Sequence, residues 1–299
     1  MNLAPILLFT YNRQSHTKKT IEALKRNNLS RESHLFVFSD APKTEKDEEK
    51  VREVRIKLKK VTGFKDVTII QRESNFGLGN NIIEGVTQIV NQFGKVIVME
   101  DDLVSSPFFL EYMNKALTIY ENNDQVISIH GYVYPTKQHL PETFFLRNAD
   151  CLGWGTWKRG WDYFERDGNQ LLKQLIESQE EFLFNYNNTY PYTDMLQDFV
   201  DGKNNSWAIR WYASAFLKNK YTLYPGRSLI FHSGGDGTGT NTGFDNHLDV
   251  SLSTSPIEIH PIRIEQNEQA YAAFVHFFSN MLKPSIFYRV RRRLKKMFH

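Results

Sequence analysis

Three consecutive acidic residues, Glu100, Asp101 and Asp102, directly follow the apolar segment VIVM at residues 96–99. Adjacent carboxylates repel one another, and the chain soon becomes apolar again, so a cation is expected beside them. Carboxylate oxygens are the ligands that Mg²⁺ and Mn²⁺ prefer, and these ions usually keep positions open for substrate phosphates. A solvated acidic turn, or a cap for the helix that follows, is the simpler alternative. The position after a buried strand favours a metal-bound diphosphate.

Strand-like apolar segments alternate with helix-like segments over the first hundred residues. The strand segments are 4–11, 34–41, 66–74 and 95–102, and the helix segments between them are 15–29, 45–63 and 77–94. This alternation predicts an α/β fold with a Rossmann-like, doubly wound, mostly parallel sheet that carries helices on both faces. Such sheets bind ligands at the carboxyl ends of their strands. The polar clusters TYNR, SDAPK, NFGLG and EDD follow the four strands, so we expect them to converge on one crevice.

The second part of the chain has a less regular pattern. Helices are predicted at 107–120, 170–186, 206–219 and 267–282, a strand at 127–134 and an extended stretch at 256–264. Residues 150–170 are rich in Gly and Trp, and residues 185–194 are predicted to be irregular. The glycines of 231–241, FHSGGDGTGTN, predict a mobile loop over the ligand. We find no repeat and no clear linker.

Positive charge is concentrated at the C-terminus. Six of the 37 Lys and Arg residues lie in 287–299, which contains no acid, and this leaves 31 cations against 34 acids elsewhere. This balance argues against a nucleic-acid-binding protein. Apolar residues at three-to-four spacing in the same segment predict a basic amphipathic helix on an anionic membrane surface. A disordered tail, or a helix packed on the body of the protein, is the alternative.

The single cysteine, Cys151, excludes an intramolecular disulfide and fits a reducing compartment. The first apolar segment is too short for a signal peptide, and no run of 18 or more apolar residues occurs. We therefore expect a cytoplasmic protein that associates peripherally with the inner face of the cell membrane.

The order of the motifs PILLFTYNR, FSDAPK, NFGLGNNI, VIVMEDDLVSSPFFLEYMN and CLGWGTW resembles that of GT-A-fold glycosyltransferases. It is most similar to bacterial family-2-like enzymes related to the N-acetylglucosaminyltransferase that initiates complex N-glycans, over about residues 3–240. The resemblance implies a metal-dependent, inverting transfer of a hexosyl or N-acetylhexosaminyl group from a UDP-sugar. The acceptor would be a glycan or lipid-linked saccharide in cell-surface polysaccharide synthesis.

The resemblance also implies a division of the chain. Residues 1–265 would form the catalytic domain, with a nucleotide-binding half at about 1–105 and an acceptor-binding half at about 106–265. Residues 266–299 would form a C-terminal helix and the membrane-associating tail.

Residues at the strand ends receive roles from the resemblance. Asp102 would ligate Mn²⁺ or Mg²⁺, Asp101 and Glu100 would face the ribose and the donor sugar, and Arg13 and Asp40 would contact the uracil base. The complete donor-binding set at these strand ends is Thr10, Arg13, Asp40, Glu100 and Asp101. Without the resemblance, Arg13 fits a charged helix start and Asp40 fits a turn.

Three further segments supply candidates. Asn75 and Gly79 lie at the start of a helix whose N–H groups could face an anion, although the glycine can equally serve the turn. Gly153 and Trp154 lie in the segment that touches the donor sugar in the resembling enzymes, although an indole is more often part of the core. His232 could complete the metal site through its imidazole, against a purely structural role.

An inverting transfer needs a general base that takes the proton of the acceptor hydroxyl. In the resembling enzymes an aspartate lies near the start of the helix that reads SWAIRW here, but this chain has Asn204 and Asn205 before Ser206. The nearby acids are Asp198 and Asp201, which we predict as base candidates in that order. The missing acid leaves open a catalytically weak or non-catalytic nucleotide- or glycan-binding protein. A sugar-nucleotide nucleotidyltransferase is the other alternative, although it needs a glycine-rich loop that FTYNRQSH does not provide.

Overall fold

The computed structural model describes residues 2–237 and 247–281. The predicted membrane-binding tail, and the part of the glycine-rich segment from residue 238 to residue 241, lie outside these residues. The strands of the described part are β1 Ile6–Thr10, β2 His34–Ser39, β3 Asp66–Gln71, β4 Lys95–Glu100, β5 Leu103–Ser105, β6 Val126–His130, β7 Thr143–Leu146, β8 Trp154–Trp157, β9 Tyr221–Pro225 and β10 Ile230–His232. The α-helices are α1 Gln14–Lys25, α2 Glu45–Leu58, α3 Gly77–Phe93, α4 Phe109–Ile119, α5 Lys158–Trp161, α6 Gly168–Ser178, α7 Glu181–Phe184, α8 Tyr192–Val200, α9 Trp207–Leu217 and α10 Glu268–Met281.

The N-terminal half has the predicted alternation of strands and helices. β3, β2, β1 and β4 are neighbours in one sheet, and each neighbouring pair is parallel. β1 is buried along its whole length, and so is β4 up to Glu100, which explains why both sequences are continuously apolar. The carboxyl ends of β1, β2 and β4 lie at the same edge of the sheet, since Phe9 of β1 is paired with Glu100 of β4 and Thr10 of β1 with Ser39 of β2.

The C-terminal half extends this sheet with mixed pairing. The strand order is β3-β2-β1-β4-β8-β6-β9-β7, in which β8 runs antiparallel to both β4 and β6. β6 and β9 are parallel, and β7 is antiparallel to β9. A separate two-stranded sheet joins β10 to β5 in antiparallel fashion. The sheet is therefore parallel around its first four strands, where the acidic turn lies.

Helices cover both faces of the sheet. Successive side chains of a strand point to opposite faces, and along β1 Ile6 and Leu8 belong to one apolar cluster whereas Leu7 and Phe9 belong to another. The first cluster includes residues of α1 and α4, and the second includes residues of α3 and α9. A third cluster packs α6, α8, α9 and α10 together in the C-terminal half.

The pattern of the second half was predicted less well. The short strands β7 to β10 were not predicted as strands. The helix predicted at 170–186 is two helices, α6 and α7, because Gln179 has a left-handed backbone with φ of 58° that ends the first. The irregular segment predicted at 185–194 ends earlier than predicted, since α8 begins at Tyr192. In the described part of the chain, no helix combines the length and the hydropathy that a transmembrane span requires.

Candidate active site

The acidic turn lies at the end of β4, in the middle of the sheet. Glu100 is the last residue of β4, and Asp101 and Asp102 form the turn into β5. Both aspartates are buried, with 4% and 8% of their surfaces exposed. Arg13 follows the neighbouring strand β1, and its Nη2 donates hydrogen bonds to Asp101 Oδ1 and to Asp102 Oδ2, the second at 2.8 Å. The parallel pairing of β1 with β4 therefore brings a cation to the acids.

His232 also approaches Asp102, from the short sheet of β5 and β10. The antiparallel pairing places His232 opposite Leu103, and His232 Nε2 lies 3.5 Å from Asp102 Oδ2. The backbone N–H and the hydroxyl of Ser233 donate to the carbonyl oxygen of Asp102, at 2.8 and 3.0 Å. The structure thus brings together the two residues that were predicted to be metal ligands.

The three acids of the turn have different pKa values. Burial, together with the charges of the two aspartates, raises the pKa of Glu100 to about 8. Burial also raises the pKa of Asp101 to about 6, although the charge of Arg13 opposes this. Burial acts in the same direction on Asp102, but the hydrogen bond from His232 and the charge of Arg13 outweigh it and lower the pKa to about 2. Asp102 therefore stays ionised over the widest pH range, as a metal ligand must.

Buried polar atoms without a hydrogen-bond partner among the described residues surround the turn. They include Thr10 Oγ1, Arg13 Nη1 and Asp101 Oδ2. Buried polar groups are normally hydrogen-bonded, because leaving one unpaired costs about 1–3 kcal/mol. A hydroxyl group, an N–H group and a carboxylate oxygen match the mixed donor and acceptor groups of a nucleotide sugar.

Asp102 and His232 fit a divalent ion that is shared with a substrate. Within residues 2–237 and 247–281, no group of three or more His, Cys, Asp and Glu side chains is arranged to hold a metal by itself. Mg²⁺ is usually held by one or two carboxylates together with substrate phosphates. A Cβ at Gly234 would lie 2.5 Å from Asp102 Oδ2 and 2.7 Å from His232 Nε2. The missing side chain at residue 234 therefore keeps the space beside both donors open.

Asp40 and Asn75 lie at the start of α3, where the prediction placed the donor. The buried carboxylate of Asp40 accepts hydrogen bonds from the N–H groups of Phe76 and Gly77, at 2.9 and 3.0 Å. Asn75 Nδ2 donates to the same carboxylate at 3.2 Å. A carboxylate at a helix N-terminus is stabilised by the N–H groups and by the helix dipole. Asp40 thus takes the position that the prediction gave to an anionic part of the ligand.

Gly79, Gly153 and Trp154 also pack against protein atoms. A Cβ at Gly79 would lie 2.9 Å from the carbonyl oxygen of Asn205, and one at Gly153 would lie 2.6 Å from a side-chain carbon of Ile230. Trp154 has no exposed surface and belongs to the apolar cluster beneath α3 and α9. Its indole is therefore part of the core in this structure, which was the alternative considered for it.

The sequence matches the model described as "Glycosyl transferase family 2" over residues 6–252. The chain belongs to glycosyl transferase family 2. The match includes the acidic turn and His232, and it confirms the predicted GT-A-type α/β fold. No curated protein sequence matches the chain. The predicted relation to the N-acetylglucosaminyltransferase of N-glycans stays a prediction.

Solved structures that are similar to this family 2 glycosyltransferase have low sequence identity to it. A mannosyltransferase from Pyrobaculum calidifontis, solved with GDP-Man and Mn²⁺, is 13% identical over 44% of this chain and 35% of its own, with a TM-score of 0.32. TarS from S. aureus is 11% identical over 77% of this chain and 36% of its own, with a TM-score of 0.44. A putative nucleotide-diphospho-sugar transferase from Desulfovibrio desulfuricans is 15% identical over 56% of this chain and 69% of its own, with a TM-score of 0.33. The chain spans about a third of the length of the first two proteins.

The two predicted bases of this glycosyltransferase lie on α8 and directly after it. Asp198 and Asp201 form ion pairs with Lys203 Nζ, at 3.2 and 2.6 Å, and their side chains are 48% and 35% exposed. Among the residues that the structure describes, no hydrogen bond or ion pair connects either acid with the acidic turn. The structure therefore does not bring them together with the predicted metal ligands.

Two residues that were not predicted hold the acidic turn in place, and a third leaves space beside it. Thr20 on α1 donates its hydroxyl hydrogen to the carbonyl oxygen of Asp101 at 2.8 Å. Ser233 binds the next carbonyl group, and Gly234 leaves room beside the carboxylate of Asp102. A single threonine on a helix carries no pattern that marks it. The pair SG after His232 was the available signal, because small residues beside a predicted ligand allow close approach of the backbone.

Proposed function

We propose that this glycosyltransferase moves a sugar from a UDP-sugar to a hydroxyl group of a glycan or lipid-linked acceptor, with inversion at the anomeric carbon and with Mn²⁺ or Mg²⁺ as cofactor. The observation that carries the proposal is the contact of Asp102 with both Arg13 and His232 at the end of the central strand β4. Family membership supports the transfer of a sugar. The uridine nucleotide and the inversion come from the sequence resemblance.

Asp102 and His232 are the residues that would hold the ion, through a carboxylate oxygen and an imidazole nitrogen. A divalent ion bound there supplies Lewis-acid stabilisation of the negative charge that develops on the departing diphosphate. Arg13 already offsets part of the negative charge of the two aspartates. Its Nη1 has no partner among the described residues, so this N–H group can donate to a phosphate oxygen. Asp101 Oδ2 and Thr10 Oγ1 can bind hydroxyl groups of the ribose or the donor sugar.

The Asp102→Asn variant tests the metal-bound diphosphate. Thermal unfolding is measured with UDP and with GDP, each with Mn²⁺ and with EDTA, and UDP release is measured from UDP-glucose, UDP-galactose and UDP-N-acetylglucosamine. A ligand at about 100 times its dissociation constant stabilises the folded state by about 2.7 kcal/mol, and we expect this for UDP with Mn²⁺ in the wild type only. Asp66→Asn is the matched control, because its carboxylate is 63% exposed on β3.

The results separate the alternatives. UDP binding that is equally strong in EDTA and in Mn²⁺, or equally strong in Asp102→Asn and in the wild type, would refute the metal role of Asp102. UDP binding without UDP release from any donor would favour a non-catalytic member of the family. Preference for GDP would overturn the choice of uridine.

We propose further that the basic segment 284–299, outside the described residues, attaches the enzyme to an anionic membrane surface. Each Lys or Arg near such a surface is worth about 1 kcal/mol. Deletion of 284–299 should abolish flotation with vesicles that contain anionic lipid, whereas the full chain should float with these vesicles and not with neutral ones. Equal flotation of both proteins would contradict this.

A further inference from the structure

Asp150 lies on the segment that leads into β8, four residues before Trp154. β8 is antiparallel to β4, and the last pair of this ladder joins Val98 to Trp154. The residues before Trp154 therefore continue past the carboxyl end of β4, toward the acidic turn. The contact of Gly153 agrees with this path, because a Cβ on it would lie 3.5 Å from the sulfur of Met99.

Electrostatic effects on Cys151 also place Asp150 near the acids. Burial raises the pKa of the Cys151 thiol, and the charges of Asp150, Glu100 and Asp102 raise it further. Charges that are separated by more than about 10 Å are largely screened at ordinary salt concentrations. The charges of Asp150 and of two acids of the turn therefore act on the same side chain.

The carboxylate of Asp150 is held in place and remains able to accept a proton. Tyr134 Oη donates to Asp150 Oδ2 at 2.9 Å, and the N–H group of Cys151 donates to Oδ1 at 2.8 Å. Each carboxylate oxygen has a second lone pair, and the residue is partly exposed. Among the described residues, no Lys, Arg or His forms an ion pair with Asp150, whereas both acids predicted as bases are paired with Lys203.

A cavity of about 520 Å³ lies next to the same tyrosine. Tyr134 lines it together with polar side chains that include Arg227, Asp249 and Ser251. This volume is within the usual range of small-molecule sites, which combine apolar or aromatic walls with a few polar groups. Tyr134 thus lines this cavity and also binds Asp150, which lies behind the residues that line it.

We propose that Asp150 is the general base of the transfer, in the role of the aspartate that this chain lacks before SWAIRW. The proposal rests on the proposed function. A carboxylate oxygen of Asp150 takes the proton of the acceptor hydroxyl while the hydroxyl oxygen forms a bond to the anomeric carbon. The bond from that carbon to the diphosphate oxygen breaks, and its electron pair leaves with UDP. Tyr134 is a positioning residue that orients the carboxylate.

The Asp150→Asn variant tests this base. UDP-glucose, UDP-galactose and UDP-N-acetylglucosamine serve as donors, octyl glucoside and octyl galactoside serve as acceptors, and UDP release is measured with Mn²⁺. We expect the kcat for release to fall by about 10²–10⁴-fold, the usual contribution of a general base, while UDP with Mn²⁺ stabilises the variant as it stabilises the wild type. Asp162→Asn, which removes a surface partner of Lys158, is the control and should keep full activity.

Two further variants distinguish a base from a structural residue. Sodium formate or azide should restore part of the activity of Asp150→Ala, because a small base can occupy the space of the missing carboxylate. Tyr134→Phe should lower kcat several-fold and leave the KM for the donor unchanged.

The outcomes are distinct for the two proposals. Full UDP release by Asp150→Asn, or its loss in Asp198→Asn alone, would overturn the assignment of the base and leave the proposed function intact. A wild-type protein that neither binds UDP with Mn²⁺ nor releases it would overturn both.

Discussion

The Arg13→Met variant tests whether Arg13 holds the acidic turn together when no metal is bound. Its guanidinium group contacts both aspartates, and the side chains of Arg13, Asp101 and Asp102 are only 18%, 6% and 11% exposed. Removing one partner of a buried ion pair costs about 3–5 kcal/mol, because the remaining charge stays buried without a counter-charge. We therefore expect the free energy of unfolding in EDTA at pH 8 to fall by about this amount.

The loss should depend on pH because Asp101 can take up a proton. Burial raises the pKa of Asp101 from 3.8 to about 6 even though Arg13 lowers it, so the pKa should rise further without Arg13. An acid whose pKa is higher in the folded than in the unfolded protein destabilises the fold increasingly as the pH rises above its unfolded-state value. At pH 5 the carboxyl group of Asp101 can be neutral in the variant, so we expect a smaller loss there than at pH 8.

Urea unfolding at pH 5 and pH 8, in EDTA and with saturating Mn²⁺, measures these effects. Mn²⁺ supplies positive charge beside Asp102 and should stabilise Arg13→Met more than the wild type. Arg227→Met is the matched control, because the ion pair of Arg227 with Glu142 is 46% and 39% exposed. An exposed pair is worth about 0–1 kcal/mol. The reasoning fails if both variants lose the same free energy, or if the loss in Arg13→Met is the same at the two pH values.

Three further changes test other features of the site. Glu100→Gln should raise the free energy of unfolding relative to the wild type, and by more at pH 8 than at pH 5. Burial raises the pKa of Glu100 to about 8, so ionisation of this carboxyl group disfavours the folded state. Urea unfolding that shows no such pH difference would contradict this. Gly234→Ala places a Cβ 2.5 Å from Asp102 Oδ2, so we expect the affinity for Mn²⁺, measured by calorimetry, to fall by about 10–100-fold. An unchanged affinity would contradict a metal site at Asp102. Asp40→Ala should lower the free energy of unfolding by about 1–2 kcal/mol in thermal unfolding, because the N–H groups of Phe76 and Gly77 lose their acceptor at the start of α3, with Mn²⁺ affinity unchanged. Weaker Mn²⁺ binding would show that Asp40 also serves the metal site.

The strand-end part of the site was predictable from sequence because it depends on regular elements. The apolar run 96–99, within the alternation of strands and helices, indicates a buried strand of a parallel sheet. The register of such a sheet brings the end of β1 close to the end of β4. The contact between Arg13 and Asp102 therefore follows from the alternation of strands and helices in the sequence. His232, which faces Asp102 from β10, was predicted only from the chemistry of its imidazole, since a three-residue strand has no periodicity.

The position of Asp150 could not be predicted in the same way. It depends on β8, a strand of four residues with the sequence WGTW, which is too short to show an alternation of apolar and polar residues. Nothing local indicates that this segment pairs antiparallel with β4, which lies more than fifty residues earlier in the chain. Long-range pairing of a short strand therefore decides which acid lies beside the turn.

The three adjacent acids are compatible with a buried strand end because they do not carry three unbalanced charges. Burial keeps the pKa of Glu100 at about 8, so that carboxyl group is mainly neutral at pH 7, while the guanidinium group of Arg13 contacts both aspartates. The lowered pKa of Asp102 leaves one carboxylate ionised at all ordinary pH values. A divalent cation near Asp102 would favour ionisation of all three acids, because an opposite charge lowers the pKa of a carboxyl group. In the free protein Arg13 offsets only part of the negative charge of the turn, whereas a bound divalent ion would offset more of it. This accounts for a third carboxylate in addition to the two that Arg13 contacts.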